Sequence, residues 1–123
     1  LFEWFLKNDE LGDPLVNEDH ILSFGWAEPD QIAQVRECSL RANRVLSELF
    51  LGIGITLVDF KLEFGAGTDG ALYLGDEFTP DGCRLWDAQT QEVLDKDRFR
   101  HDMGAVVDAY EQVARRLSQT EGQ

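Results

Sequence analysis

The sequence predicts an α+β fold: a mostly antiparallel sheet carrying a β-hairpin, packed against two long helices. Three observations predict it. Apolar residues recur at three- and four-residue steps between Pro29 and Gly52, and the period drops to two from Gly54 onward. Six glycine-rich residues then separate two strand-like runs. At 123 residues, with 43% hydrophobic and 28% charged residues, the chain is long enough for one ordinary folded domain.

The elements follow in order. Residues 7–17 are turn-forming, with Gly12 and Pro14 as breakers, and a short helix is expected over 18–24, stopped by Gly25. Pro29 suits the first turn of the next helix, Asp30 favours the positive end of its dipole, and Gly52 closes it. Its expected buried stripe is Ile32, Val35, Cys38, Ala42, Val45 and Leu49. Arg36, Glu37, Arg41, Arg44 and Glu48 lie off the stripe, where Glu37–Arg41 and Arg44–Glu48 are four residues apart and stand as candidate ion pairs on a solvated face. Strands are expected over 54–64 and 71–78, joined as a hairpin. A less regular stretch covers 79–94. Asp97 then caps a last helix whose inner face is Val106, Tyr110, Val113 and Leu117, and residues 118–123 read as a frayed tail.

Composition excludes several classes. The net charge of −13 argues against a nucleic-acid binder, which needs a clustered basic face, and no apolar run approaches the roughly 18 residues of a membrane span. Cys38 and Cys83 form neither a disulfide framework nor a zinc knuckle, and His20 and His101 have no partner at metal-ligand spacing, so a reducing, cytoplasmic setting fits best. The chain opens at Leu1 in mid-pattern without a signal peptide, and is expected to be a fragment. The literal GxGxxG at residues 65–70 is followed by strand-forming Ala71, Leu72, Tyr73 and Leu74 where a dinucleotide fingerprint opens a helix. It is read as a hairpin loop.

Candidate chemistry concentrates in the first strand. Alternation sends Phe60, Leu62 and Phe64 to the core and puts Asp59, Lys61 and Glu63 on the opposite face. Asp76, Glu77 and Asp81, from the returning strand and its loop, come partly opposite Glu63. Two readings stay open: the wet face of an antiparallel sheet, or a row of hard oxygen ligands for magnesium and phosphate. Like charge facing across a hairpin is costly without a cation, which weighs toward the second. Downstream, Arg84, Lys96, Arg98 and Arg100 gather basic charge, arginine being suited to forked phosphate contacts.

The stretch Leu57-Val58-Asp59-Phe60-Lys61-Leu62-Glu63-Phe64-Gly65 resembles the C-terminal signature of the SAICAR synthetase family. Further blocks resemble it in family order: Phe5-Leu6-Lys7-Asn8-Asp9 with Asp13-Pro14, Gly75-Asp76-Glu77-Phe78-Thr79-Pro80-Asp81, Cys83-Arg84-Leu85-Trp86-Asp87, Leu94-Asp95-Lys96-Asp97-Arg98-Phe99-Arg100, then Ala109-Tyr110-Glu111 and Arg115-Arg116-Leu117. The resemblance implies a two-lobed, kinase-like or ATP-grasp-like enzyme. Residues 1–123 would be its C-terminal lobe, with the N-terminal ATP-binding lobe absent. It also implies an ATP- and Mg²⁺-dependent ligase that joins carboxyaminoimidazole ribotide to L-aspartate in purine biosynthesis. Under it, Glu63 and Asp76 hold the metal and nucleotide, Lys7 contacts ATP, and Asp59, Lys61 and Asp13 lie beside the reacting groups. Asp81 meets the aminoimidazole, and Arg84, Lys96 and Arg100 hold the ribotide phosphate. The expected partners are these small molecules and the missing lobe, with no nucleic acid or membrane and with homo-oligomerisation left open. The lobe alone is expected to be inactive; the contrasting expectation is a non-catalytic fragment that only binds ligand or associates.

Overall fold

A computed structural model describes residues 1–75, 80–101 and 104–121, except for the side chains of Pro80, Phe99, Arg100, Val106, Thr120 and Glu121. It divides into two compact units, Leu1–Cys38 and Ser39–Gln123, with the division falling inside one long helix.

In the first unit, strands β1 (Trp4–Phe5) and β2 (Leu15–Val16) pair antiparallel, with Phe5 opposite Leu15. The stretch expected to be all turn therefore ends in a strand. Two polar loop residues make this possible. The backbone N–H of Asp13 donates to the Asn8 carbonyl, and the Asn8 N–H donates to the Asp13 carboxylate at 2.7 Å. Helix α1 (Glu18–Ser23) starts at Asn17, whose side chain accepts the His20 N–H, while His20 Nδ1 accepts the Asn17 N–H. His20 is thus a capping residue. Ile21 and Ile32 are the buried apolar residues of this unit. Arg36 pairs with Glu18 at 2.8 Å and lies over the Phe2 ring.

Helix α2 (Pro29–Leu51) has the limits that Pro29 and Gly52 predict. Its predicted stripe is corrected. Ile32 is buried and Val35 and Ala42 are half-buried, but Cys38, Val45 and Leu49 are exposed. In the second unit the core is met instead by Leu46 and Phe50, one residue farther along the chain. The pairs Glu37–Arg41 and Arg44–Glu48 do not form; among the described residues these side chains simply face solvent.

The sheet of the second unit is split into two pairs. The strand expected over 54–64 breaks at Lys61 and Leu62 into β3 (Ile55–Phe60) and β4 (Glu63–Ala66). Strand β4 forms the expected hairpin with β5 (Leu72–Gly75); Gly65 and Ala66 of the GxGxxG segment end β4, and residues 67–70 make the turn. A Cβ on Gly67 would come to 2.5 Å from the Tyr73 ring, so a side chain there would have to displace the ring from its hydrogen bond to Asp69. Strand β3 pairs instead with β6 (Cys83–Asp87), which lies in the stretch expected to be irregular. A single 3-10 turn, Pro80–Gly82, leads into β6.

The last helix is also two. Asp97 opens the short α3 (Asp97–Arg100), and α4 (Val106–Glu121) follows after Gly104 and Ala105, both at positive φ. Helix α4 continues through residues expected to fray, and buries Ala109 and Val113, with Leu117 packed beside them. The core comprises Phe50, Ile55, Cys83, Leu85, Leu94, Ala109 and Val113. Arg116 ties α4 to the strands, its Nη2 donating to Asp87 at 2.6 Å and its Nη1 to the Gly54 carbonyl at 3.1 Å. Two turn N–H groups, of Thr90 and Gln89, also donate to Asp87, and together these hold its carboxyl well below the usual carboxylate range.

The core makes a direct prediction. Leu94→Ala and Ile55→Ala, both at fully buried positions, should each lower the free energy of urea unfolding by about 2–5 kcal/mol. Val45→Ala, at a position 61% exposed, should change it by no more than about 0.5 kcal/mol. A cost of core size at Val45 would mean that this face is covered in solution.

Candidate functional site

A bulge sets the geometry of the outer sheet face. Ile55 and Leu57 of β3 pair with Asp87 and Leu85, but the register slips at Val58, so that Asp59 pairs with Arg84 and Phe60 with Cys83. Without the extra residue, Asp59 would share the inward face of Ile55 and Leu57. With it, Asp59 stands outside beside Arg84 while Phe60 packs toward the core.

Arg84 is held by two carboxylates. Its Nη1 donates to Asp59 Oδ2 at 2.6 Å and its Nε to Asp97 Oδ2 at 2.9 Å. The two bonds favour the guanidinium cation and raise its pKa further. Asp97 is itself fixed from behind. Its backbone N–H donates to Asp95 Oδ1 at 2.8 Å, and Asp95 Oδ2 accepts the Leu85 N–H at 2.6 Å. Asp95 is completely buried, and these backbone donors compensate the cost of removing its charge from water.

Beyond the strand break, Lys61 Nζ lies 3.6 Å from Glu63 Oε1, and its backbone N–H donates to the Gly82 carbonyl at 2.8 Å. Glu63 opens β4 directly opposite Gly75; the expected partner Asp76 lies outside the described residues. Among the described residues no three His, Cys, Asp or Glu side chains gather as a metal cage. A half-buried glutamate oxygen donor does fit a magnesium ion of another kind, one bound by one or two carboxylates and completed by phosphate oxygens.

Asp81, in the 3-10 turn, accepts a hydrogen bond from the Tyr110 hydroxyl at 2.9 Å. Burial first, then this bond, pushes the Tyr110 phenol up to about 12. Lys96 is half-buried between Asp95 and Asp97, close enough for its charge to act on Cys83. Arg98 faces inward: it donates to the Val93 and Gly104 carbonyls and to Glu92 at 2.6 Å, and so is structural. Arg100 belongs to α3, but its side chain lies outside the described residues. In the first unit Lys7 and Asp13 occupy one loop, closed by the Leu6–Pro14 and Asn8–Asp13 backbone bonds. A hollow in that unit, lined by Phe2, Trp4, Leu15, Val16 and Glu18 among others, contains none of the expected site residues.

Three residues escaped the sequence reading. Asp95 and Asp97 look like ordinary acids alternating with Lys96 and Arg98, and Tyr110 looks like part of an apolar stripe. Their roles depend on partners 10 to 29 residues away. The only local signal was their place in the segments 94–100 and 109–111.

A family model described as SAICAR synthetase matches residues 1–117. Among curated proteins, a phosphoribosylaminoimidazole-succinocarboxamide synthase of Pseudomonas fluorescens is 58% identical over 116 residues, covering 94% of this chain and 49% of the relative. One from Idiomarina loihiensis is 60% identical over 119 residues, covering 97% and 50%. The chain thus spans about half the length of the curated relatives it matches. Among solved structures, the synthase of Ehrlichia chaffeensis superposes with a TM-score of 0.90 at 49% identity, covering 96% of this chain and 51% of that one. A SAICAR synthetase solved in complex with ADP gives 0.88 at 44% identity, covering 95% and 50%. No helix among the described residues is long and apolar enough to cross a membrane.

The two thiols should behave differently. Cys38 is exposed, whereas burial, followed by the Asp95 charge, pushes Cys83 up to about 11. At pH 8 a thiol reagent should modify Cys38 at least about 100-fold faster than Cys83, and unfolding should equalise them. The folded thiol holds its proton more tightly than its ordinary value of 9.0 implies. Its stabilising effect is therefore complete below pH 9 and is lost as pH rises toward 11. The urea midpoint should fall across that window, and fall less in Cys83→Ala.

Proposed function

The chain belongs to the SAICAR synthetase family, and from that premise we propose that it supplies the metal–nucleotide carboxylates and the ribotide-phosphate site of an ATP- and Mg²⁺-dependent, amide-forming ligase. The observation that carries the reading is the outer face after the β3 bulge, where Asp59 and Arg84 pair and Lys61 leads to Glu63. In this reaction a carboxylate oxygen of carboxyaminoimidazole ribotide attacks the γ-phosphorus of ATP, and ADP leaves. The amine of L-aspartate then attacks the acyl carbon, the phosphate leaves with the C–O bonding pair, and the nitrogen gives up a proton.

Each residue has a part in bringing these anions together. Glu63 and Asp76 would hold Mg²⁺, which offsets phosphate charge when bound. Lys61 Nζ, 3.6 Å from Glu63, adds a fixed positive charge on the same side. By family resemblance Lys7 is assigned to ATP, and Asp13, Asp59 and Lys61 are assigned roles in handling the reacting groups. Arg84 and Lys96 bind the ribotide phosphate, with Arg100 as a further donor. Asp81, steadied by the Tyr110 hydroxyl, accepts from the aminoimidazole. The proposed setting is the cytoplasm, and the residues of the relatives beyond the matched half complete the nucleotide site. The named ADP complex of a relative supports nucleotide binding in the family.

The test joins the chain to the non-matching half of the Idiomarina loihiensis relative and measures succinocarboxamide formation from ribotide, aspartate and MgATP. The joined protein should be active and the chain alone inactive. A folded joined protein without activity would refute the ligase reading. Within the active protein, Glu63→Gln and Asp76→Asn should each lower kcat by at least about 100-fold, the scale of losing a charge-stabilising group. Arg84→Ala should raise KM for ribotide about 10- to 100-fold and leave KM for ATP nearly unchanged, as expected for a lost charge-assisted contact.

A further inference from the structure

Arg84 has two carboxylate partners that differ in kind. The Asp59 side chain is 50% exposed, at the outer edge of the bulged strand, and meets Nη1. The Asp97 side chain is only 15% exposed and meets Nε, the nitrogen nearest the stem. Asp97 also has a backbone anchor that leads back to Arg84 itself. Its N–H is held by buried Asp95, whose other oxygen holds the N–H of Leu85, the residue after Arg84. Arg84, Asp97, Asp95 and Leu85 thus close a ring of three hydrogen bonds and one peptide linkage. A ring of this kind fixes where the guanidinium plane lies, because a planar fork bound at Nε can no longer swing about its stem.

Among the described residues no acceptor meets Nη2, so the edge left for an anion comprises Nη2 and whatever Asp59 releases. An exposed partner is the one a phosphate can displace; a mostly buried one with its backbone pinned is not. We propose that Asp97 is a positioning residue for ribotide binding, its carboxylate holding Arg84 through Nε so that the Nη edge is presented to the phosphate, while Asp59 is the partner the phosphate replaces. This rests on the reading that Arg84 holds the ribotide phosphate.

A mutant cycle in the active joined protein tests it, with KM for ribotide, KM for ATP and kcat measured for Asp97→Ala, Arg84→Ala and the double variant. Asp97→Ala should raise KM for ribotide roughly 10-fold while kcat and KM for ATP stay within about twofold. In the Arg84→Ala background the same change should add no more than about a factor of two, because the group it positions is gone. Asp97→Asn keeps an acceptor for Nε–H without the charge and should restore most of the loss, leaving KM raised about threefold. Equal changes in all three parameters, or full multiplication of the two single effects, would overturn the proposal and mark Asp97 as merely structural. An unchanged KM in Asp97→Ala beside a raised one in Arg84→Ala also overturns it, while leaving the phosphate reading intact. An unchanged KM in Arg84→Ala removes that reading, and this proposal with it. Should Asp97→Ala not fold, Asp97→Asn decides alone, and an unchanged KM for ribotide refutes the role.

Discussion

A fully buried carboxylate, Asp95, is the constraint on which the Arg84 side of the outer face depends. Removing an ionised group from water is prohibitive unless donors replace the lost hydration. Here the donors are two backbone N–H groups, one from β6 and one from the first residue of α3. Satisfying that charge therefore also fastens the start of α3 to the middle of β6. The Leu94 N–H donates to the Leu85 carbonyl at 2.8 Å, which continues the same attachment next door. Asp97, two residues past Asp95, has its backbone position fixed by an interaction in which its own charge takes no part.

The bulge at Val58 matters in the complementary way. A strand can serve a core and a polar face at once only if its alternation has the right phase at both ends. Ile55 must face inward because it is fully buried, and so must Phe60, packed against the core, yet the two are an odd number of residues apart. One extra residue reconciles them and delivers Asp59 to Arg84. The break at Lys61 and Leu62 repeats the logic, since it lets Glu63 start a new pair with its own partner strand.

These features explain what was legible in the sequence. The limits of α2 could be read because Pro29 and Gly52 act within their own turns, and the β4–β5 hairpin because its turn is local. The division of residues 54–64 into two strands was not legible, since period-two alternation says nothing about which strand each half will meet. Strand β6 was missed for the same reason: Cys83 to Asp87 owes its order to β3, more than 20 residues upstream. On α2, Val45 and Leu49 are as apolar as Leu46, so the sequence points to a stripe one residue out of phase there, and only contact distinguishes them. Among the proposed site residues, Asp59, Glu63 and Arg84 stand in recognisable blocks, whereas the support for Arg84 comes from Asp97, thirteen residues away and outside any strand.

The charge balance then has a local meaning that the total conceals. A chain with net charge −13 repels a phosphate on average, so an anion site within it must be strongly positive at short range. Two carboxylates against a single guanidinium would seem to cancel that positive charge. They do not act equally, however. Asp97 is a permanent, largely buried partner that orients the fork, and its bond to Nε leaves the terminal nitrogens as donors. Asp59 is an exposed partner that occupies one of them, so at the proposed site an arriving phosphate would exchange with a carboxylate rather than with bulk water alone. Such an exchange favours the ligand that makes two forked bonds and carries two charges over one that makes a single bond and carries one. At the site proposed, an acidic surface and an acidic partner would act together, and a phosphate monoester would gain over the many simple carboxylates that a lone exposed arginine would also bind.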